Sequence, residues 1–549
     1  MGAGAFTFGA GCVVDEQTLP RLLVLWGCNT VHTSSSIRRE NLRSALIKGM
    51  KLIVVDPKQI DIAKRADLWI RPRPGSDGAL ALGILKIIIE EHLYDRAYVA
   101  DCTIGFDALE NEVKHFSIED VERATWVPRE QLYQFARMYA GTHPAAIKAG
   151  NGLDGMLNTF QTYRAIAIMR AITGNLNVPG GDVFVTFAAF TNLGRFFLLK
   201  DSPRKAKKAL GSEFKWAVGS AYTPYHALVN AILEEKPYPI KAAYFTVTNP
   251  LHSYPDASAV YKALMKLEFM VVCELFMTPT AALADIVLPA AMDAEHNTVG
   301  YWPGWYGELR AYPKLVEPPG EAWSNEKIIN ELAKRLDLGK YFWEDEEEAL
   351  DEMLKPSNIS FEEFKERRVL KGKAEYKTVE QGAVGTPSKK VEIYSKRLED
   401  MGYDPIPSWK EVTRGIFDTS DEYPLLLTNA KEEAYVGTGY KNVAMLRKIT
   451  PDPIVELHPA TAKEYGLKEG DWIFIETRKG RITQKLLLNP SLDPRVVFVA
   501  FGWWFPEESS DLYQWDKSNL NILTESGPSY DMVTGGVQIK GLPCRVGRT

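Results

Sequence analysis

Two stretches of this chain place an amide and an acid at matching spacing. Asn29 follows the apolar run Leu22–Trp26, and Asp56 closes the run Lys51–Val55. Asn249 follows Ala243–Val247, and Glu274 closes Phe269–Cys273. An Ala-Asp pair stands beyond each acid, Ala66-Asp67 and Ala284-Asp285, so all three correspondences lie about 220 residues apart. An acid at the end of a buried strand is placed to accept hydrogen bonds from a nucleotide hydroxyl or base. Repeated at a fixed interval, the set describes two related nucleotide-type sites on one polypeptide. The stretch Leu22–Asp77 carries no G-x-G-x-x-G, so the ordinary NAD fingerprint is missing and an NAD dehydrogenase is disfavoured.

The elements that must position these residues are legible around them. Leu22–Trp26 has the length and flanks of a fully buried strand, the Ser-rich Thr33–Ser36 suits a helix start, and Ile37–Met50 has apolar residues at 42, 45, 46 and 50 on one face. With Lys51–Val55 this makes a βαβ half-unit of a parallel sheet, whose ligand crevice lies at the strands' carboxyl ends, between the loops Gly27–Thr30 and Asp56–Lys58. The second unit repeats the order, with Ala257–Lys266 as its helix. Gly78–His92 reads as a helix; Ala145–Gly181 reads as a strand, the loop Gly150-Asn151-Gly152 and a long apolar helix Asn158–Ile172. Ser324 is a helix cap, and a hairpin is expected around Val391–Tyr394. From Tyr423 the texture turns to short alternating strands, a separate β-barrel-like domain.

Composition narrows the classes. The chain has 549 residues, enough for two to four domains, and 45% hydrophobic with 25% charged residues is ordinary globular usage. A net charge of -6 with no basic stripe argues against nucleic-acid binding, and apolar runs are too short to span a bilayer. The five cysteines (12, 28, 102, 273, 544) are scattered without any C-x-x-C, which argues against a disulfide scaffold and against a self-contained iron–sulfur or zinc site.

The segments LWGCNT, KLIVVDPK, RADLWIRPRPGSDGALALGI, ITGNLNVPGG, TNPLHSYPD, ELFMTPTAALADIVLPA, ELHPATAKEYGLKEGDWIFIETRKG and GWWFPE…SNLNILT…KGLPCRV follow one another along nearly the whole chain. In this order they resemble the catalytic subunits of the bis-molybdopterin-guanine-dinucleotide oxidoreductases, the dimethyl-sulfoxide-reductase and formate-dehydrogenase superfamily. The ending resembles the branch with thiosulfate-, polysulfide- and acetylene-converting members. The resemblance implies an α/β protein: two pseudo-symmetric Rossmann-like nucleotide-binding domains, at 1–145 and 146–415, and a double-psi-like β-barrel at 416–549 that caps the pterins. It implies bis-molybdopterin guanine dinucleotide with molybdenum or tungsten, and redox or oxo-transfer on a small-molecule substrate. Carried onto this sequence, Gly27, Asn29, Asp56, Gly75 and Asp77 serve one cofactor, and Asn249, Glu274, Thr278 and Asp285 the other. Thr428 and Asn429, Trp504, Asn519 and Asn521 stand where the family's barrel contacts pterin and pyrophosphate.

The departure is at the front. Family members open with a cysteine-rich iron–sulfur domain and a metal-ligating residue, and neither is found in Met1–Leu19. The expectation is therefore a [4Fe-4S] cluster and a metal ligand on an N-terminal domain or on a partner chain, no activity without it, and a mobile Met1–Leu19. Neither His32 nor His296 is assigned a catalytic role, each being read as a structural hydrogen-bonder. The non-catalytic alternative is a scaffold subunit that keeps the fold without the metal. Location is expected to be cytoplasmic, or periplasmic if an export signal lies on the N-terminal part.

Overall fold

The computed structural model describes residues 2–31, 39–193, 209–219, 222–302 and 307–549. His32 and the Ser-rich segment lie outside them. The first sheet has four parallel strands, β1 (Leu22–Trp26), β2 (Lys51–Val55), β3 (Leu68–Ile70) and β4 (Ala145–Ala149), in the order β3-β2-β1-β4. Every residue of β1 is buried, because its alternate side chains serve two cores. Leu22, Val24 and Trp26 pack with the helices α2 (Asp77–Glu90), α3 (Arg129–Ala140) and α4 (Thr159–Ile172), whereas Leu23 and Leu25 pack on the side of α1 (Arg39–Ile47). Helices on both faces explain the unbroken apolar runs.

The second sheet repeats the first on a smaller scale. Its parallel strands β5 (Ala242–Thr246), β6 (Phe269–Glu274) and β7 (Ile286–Pro289) run in the order β7-β6-β5, with α5 (Tyr225–Glu234) and α6 (Ala257–Lys266) in its core. The register is conserved between the units: Ile53 pairs with Leu68 and Val271 with Ile286, an offset of 15 in both. A small antiparallel sheet, Thr298–Trp302, Glu308–Tyr312 and Val369–Leu370, packs with the helices Glu346–Leu354 and Phe361–Arg367.

The C-terminal part is a closed barrel of six strands, β8 (Leu425–Ala430), β9 (Ile454–Leu457), β10 (Trp472–Glu476), β11 (Arg481–Leu488), β12 (Val496–Ala500) and β13 (Leu542–Arg548). Around it they run β8-β12-β9-β11-β10-β13, with β8/β12 and β9/β11 parallel. Closure leaves no open edge, and alternation points Leu427, Val455, Ile475 and Val499 into a common core.

Three expectations are corrected here. A boundary at 145 cuts the first sheet, since β4 is its fourth strand and α4 packs on α2; the segment from Val379 to Val412 also returns to that core. The stretch from Gly2 to Val14 is built into the fold. Gly2–Thr7 is a helix that buries Ala3 and Phe6 beside Phe160, and Cys12–Val14 pairs with Asp182–Phe184. Val391 starts no hairpin: Val391–Glu392 pairs in parallel with Thr103–Ile104.

Candidate functional site

Each unit opens a crevice at the carboxyl ends of its strands, and one device frames both. Asp67 accepts the Leu52 N–H on Oδ2 at 2.8 Å while its own N–H reaches Leu52 O. Asp285 does the same to Met270, at 2.7 Å. These carboxylates clamp the amino-terminal ends of β2 and β6, the ends away from the crevices. Asp285 is thus placed as a strand clamp, not as a ligand contact; its bare spacing to Glu274 could not say which end of the sheet it faces.

In the first crevice two loops meet backbone to backbone. Gly27 leaves β1 with φ +57, and Gly152 donates its N–H to Gly27 O at 2.9 Å. A Cβ on Gly27 would lie 2.8 Å from Leu153 Cδ1, and one on Gly152 would lie 2.5 Å from Gly27 Cα. Side chains are excluded there, and the N–H groups of Gly27 and Gly150 are likewise taken by main-chain carbonyls, Val55 O and Trp26 O, each at 2.9 Å. Asn29 accepts the Val31 N–H at 3.3 Å and so shapes the loop. Asp56 accepts the Lys58 N–H at 2.9 Å; burial pushes its carboxyl up to about 7, with that N–H and the Lys58 ammonium pulling down. Gly75, at φ +89, turns the chain into α2. Asp77, the first residue of that helix, accepts the Trp26 indole N–H at 2.8 Å, and burial raises it too. The positive end of α2 therefore lies beside two carboxyl groups on one side of the sheet.

The loop after β4 carries a pattern overlooked in the sequence. Gly150-Asn151-Gly152-Leu153-Asp154-Gly155 spells G-x-G-x-x-G between a strand and a helix, so the glycine fingerprint is present in the chain, downstream of Leu22–Asp77. Its environment is not that of a pyrophosphate turn. Gly152 is packed against Gly27, Gly155 faces Ile539 at 2.5 Å from a built Cβ, and the Phe160 N–H at the start of α4 is taken by Asp531 at 2.9 Å. The glycines serve close packing and the helix terminus is already occupied.

The second crevice is lined largely by uncharged side chains. Asn249 is buried; its Oδ1 accepts the Thr280 hydroxyl at 2.5 Å and its Nδ2 has no partner. His252, wholly buried, has neither ring nitrogen hydrogen-bonded, and burial, aided by Lys441, presses it down to about 3, so the ring stays neutral. Glu274 at the end of β6 accepts the Leu275 N–H at 2.8 Å and is raised by burial. Thr278 accepts the Ala281 N–H at 3.2 Å and turns the chain toward Thr280.

The barrel reaches both crevices through Asn429, Asn519 and Asn521, which the sequence singled out, and through Gln538 and Lys540, which it did not. Asn519 donates to Leu251 O at 2.9 Å and Asn521 to His252 O at 2.8 Å, so these amides hold the second crevice's loop. Asn429 donates to Ile539 O at 2.9 Å, beside the buried Thr428. Gln538 accepts the Leu157 N–H at 2.8 Å and donates to Gly415 O at 3.0 Å. Lys540 donates to the carbonyls of Asn151, Gly152 and Asp154 at 3.0, 2.6 and 2.8 Å. Trp504 is buried and its indole donates to Thr438 O at 2.9 Å. His296 sits 3.0 Å from Met292 O, a local contact.

The groups present suit a nucleotide: the first crevice offers the amino-terminal end of α2 beside two carboxyl groups, and the second holds a buried amide N–H₂ without an acceptor. Among the described residues no group of three or more His, Cys, Asp or Glu could hold a metal, and no helix is long and apolar enough to cross a membrane.

Comparison with known proteins agrees with this geometry. Residues 18–335 match the molybdopterin oxidoreductase family and residues 425–543 the molybdopterin dinucleotide binding domain. Acetylene hydratase of Syntrophotalea acetylenica is 32% identical over 505 residues, 85% of this chain and 68% of the relative. Formate dehydrogenase H of Escherichia coli is 27% identical over 520 residues, 89% of this chain and 70% of that protein. The solved structure of acetylene hydratase from Pelobacter acetylenicus superposes with a TM-score of 0.90 at 28% identity, covering 100% of this chain and 80% of that one.

Proposed function

The chain belongs to the molybdopterin oxidoreductase family, and on that premise we propose that it binds two molybdopterin guanine dinucleotides, one guanosine end in each crevice, as the catalytic portion of a molybdenum or tungsten enzyme acting on a small molecule. The observation that carries this reading is the duplicated crevice: same strand order, same 15-residue register offset, same aspartate clamp, each closed by the barrel.

In the first crevice Asp56 and Asp77, when ionised, accept from the donor edge of guanine and from ribose hydroxyls. The start of α2 brings main-chain N–H groups to pyrophosphate, with Gly27 and Gly75 turning the chain and Asn29 shaping the approach. In the second, the free N–H₂ of Asn249 donates to an acceptor on the ligand and Glu274 takes the part of Asp56. Thr428 and Asn429 hold the strand end from which the barrel faces both. When bound, the metal dithiolene centre supplies the redox or oxo-transfer chemistry.

The same reading puts the electron relay and the metal's protein ligand on an iron–sulfur-bearing segment or subunit outside these 549 residues. What supports it is where the cysteines sit. Cys12 lies in a strand against Phe184 with its thiol pushed up to about 11 by burial, Cys28 packs against Gly150, Cys273 faces Asn325, and Cys544 is in the barrel core. Burial raises the thiols of Cys12, Cys273 and Cys544, and buried thiols of raised pKa are poor metal ligands.

The test is a guanine count. Protein made in a host that synthesises the cofactor should release two guanines per chain on acid hydrolysis, and Asp56→Asn should lower the count toward one. No guanine in the wild-type chain would end the proposal; guanine without molybdenum or tungsten would favour a scaffold subunit.

A further inference from the structure

The barrel closes the two crevices with different sets of groups. Asn519 and Asn521 close the second with neutral amides, beside an ion pair of Lys479 with Asp256 at the start of α6. The first is closed by Gln538, by an ion pair of Glu456 with Lys58, and by the half-buried ammonium of Lys540, all three of whose N–H groups are spent on the glycine turn Asn151–Asp154. Around it stand the carboxyl groups of Asp56 from the end of β2, Asp77 from α2 and Asp154 from the turn itself, each pulling the ammonium's affinity for protons upward. Beyond these stand Lys58 beside Asp56, itself paired with Glu456 of β9 and close to Glu432, whose carboxyl burial also pushes up to about 7, then Lys431 beyond β8, and Tyr163 of α4, whose hydroxyl donates to Asp154 at 3.2 Å. Trp26 satisfies one oxygen of Asp77. A cation in this place does two things at once: it holds the turn that packs on Gly27, and it favours the ionised forms of the acids across the crevice.

We propose that Lys540 is the positioning residue of the first nucleotide site, stapling the Asn151–Asp154 turn and favouring, against burial, the ionised forms of Asp56 and Asp77 that receive guanine, so that this site binds its nucleotide in a pH-dependent way set by Lys540. The proposal rests on the two-nucleotide reading and deepens it. A carboxylate accepts from guanine N1–H and its exocyclic amine together only when ionised, whereas a protonated acid presents one acceptor and a competing donor. Asp56 changes state near 7 and Lys540, pressed down by burial, near 8. Binding should therefore strengthen as pH rises through about 7 and weaken again above about 8, when the staple loses its charge and one donor.

The probe is GDP, titrated calorimetrically between pH 5.5 and 9.5 into cofactor-free chain carrying Glu274→Gln, which weakens the second crevice and leaves the first to be read. The unsubstituted Lys540 background should give a bell. Lys540→Gln keeps two donors for the carbonyls and removes the charge, so the acid limb should move up by about one pH unit, with GDP held about tenfold more weakly at pH 7. Lys540→Arg keeps the charge at all these pH values, so the acid limb should stay and the alkaline fall should vanish. An unmoved acid limb in Lys540→Gln, or an alkaline fall that survives in Lys540→Arg, overturns the proposal. The arginine variant alone decides the matter if the glutamine variant does not fold. Absence of GDP binding at every pH with Lys540 in place would instead count against the two-nucleotide reading itself.

Discussion

The two crevices share a frame and differ in content. The frame is three parallel strands, an aspartate that clamps the start of the middle one, an amide in the first loop and an acid at the middle strand's end. The content of the first is charge: Asp56, Asp77, Asp154, Lys58 and Lys540 within one cleft. The content of the second is mostly amide and hydroxyl: Asn249 with Thr280, an uncharged His252 and two amides from the barrel, with Glu274 at its strand end and an Asp256–Lys479 ion pair at the start of α6. Duplication thus preserved the backbone geometry that makes a crevice and left its electrostatics free to diverge. A charged cleft can be tuned by pH; a cleft of amides is tuned by fit.

The comparison breaks most visibly at the glycines. Gly152→Val should be the largest effect, because its Cβ already falls 2.5 Å from Gly27 Cα. Overpacking of this kind costs about 1–3 kcal/mol or more, so the guanine count should fall from two to one with the second crevice intact. A count that stays at two would mean that the loop contact is irrelevant to nucleotide binding.

The clamps come next. Asp67→Ala and Asp285→Ala each strand a strand-end N–H, worth roughly 1–3 kcal/mol, and should lower the melting temperature of the purified chain to a similar degree without directly removing guanine. Loss of guanine in Asp285→Ala with an unchanged melting temperature would return Asp285 to the ligand set. Asn521→Ala removes one neutral bond to the second loop, about 1 kcal/mol, and should weaken the second site at all pH values alike.

The smallest expected effect is on stability against pH. Asp56 is raised in the fold from 3.8 to about 7, so it binds its proton more tightly folded than unfolded. Its contribution is full below about 4 and is lost as pH rises through 7. The melting temperature of cofactor-free protein should therefore decline across that window, and Asp56→Asn should flatten part of the decline. A parallel curve for Asp56→Asn would show that the carboxyl is not held in its protonated form.

What the sequence made legible was whatever is local. The apolar runs, the helix Ala257–Lys266, the cap at Ser324 and the barrel strands Ile454–Leu457 and Arg481–Leu488 are written in consecutive residues, and they stand where expected. The repeat was legible because its spacing is uniform. Asn519, Asn521, Gln538 and Lys540 meet partners 123 to 389 residues away, and no local pattern encodes such a meeting. The fourth strand of the first sheet was assigned to the next domain for a related reason. AAIKA is short, and only the fold shows that it returns to lie beside Leu22–Trp26.

Those long separations also put the two sites on a clock. Neither crevice holds its final shape until the segment from Asn519 to Lys540 arrives, and Lys540 follows Asn151 by 389 residues. At translation rates of about 5–20 residues per second, the glycine turn of the first crevice waits roughly 20–80 s for its staple. During that interval the α/β frames can fold on their own cores while the clefts stay open on the barrel side, and the second crevice is closed by Asn519 and Asn521 before the first is closed by Lys540. A dinucleotide loaded in that order would enter the later-closing cleft last.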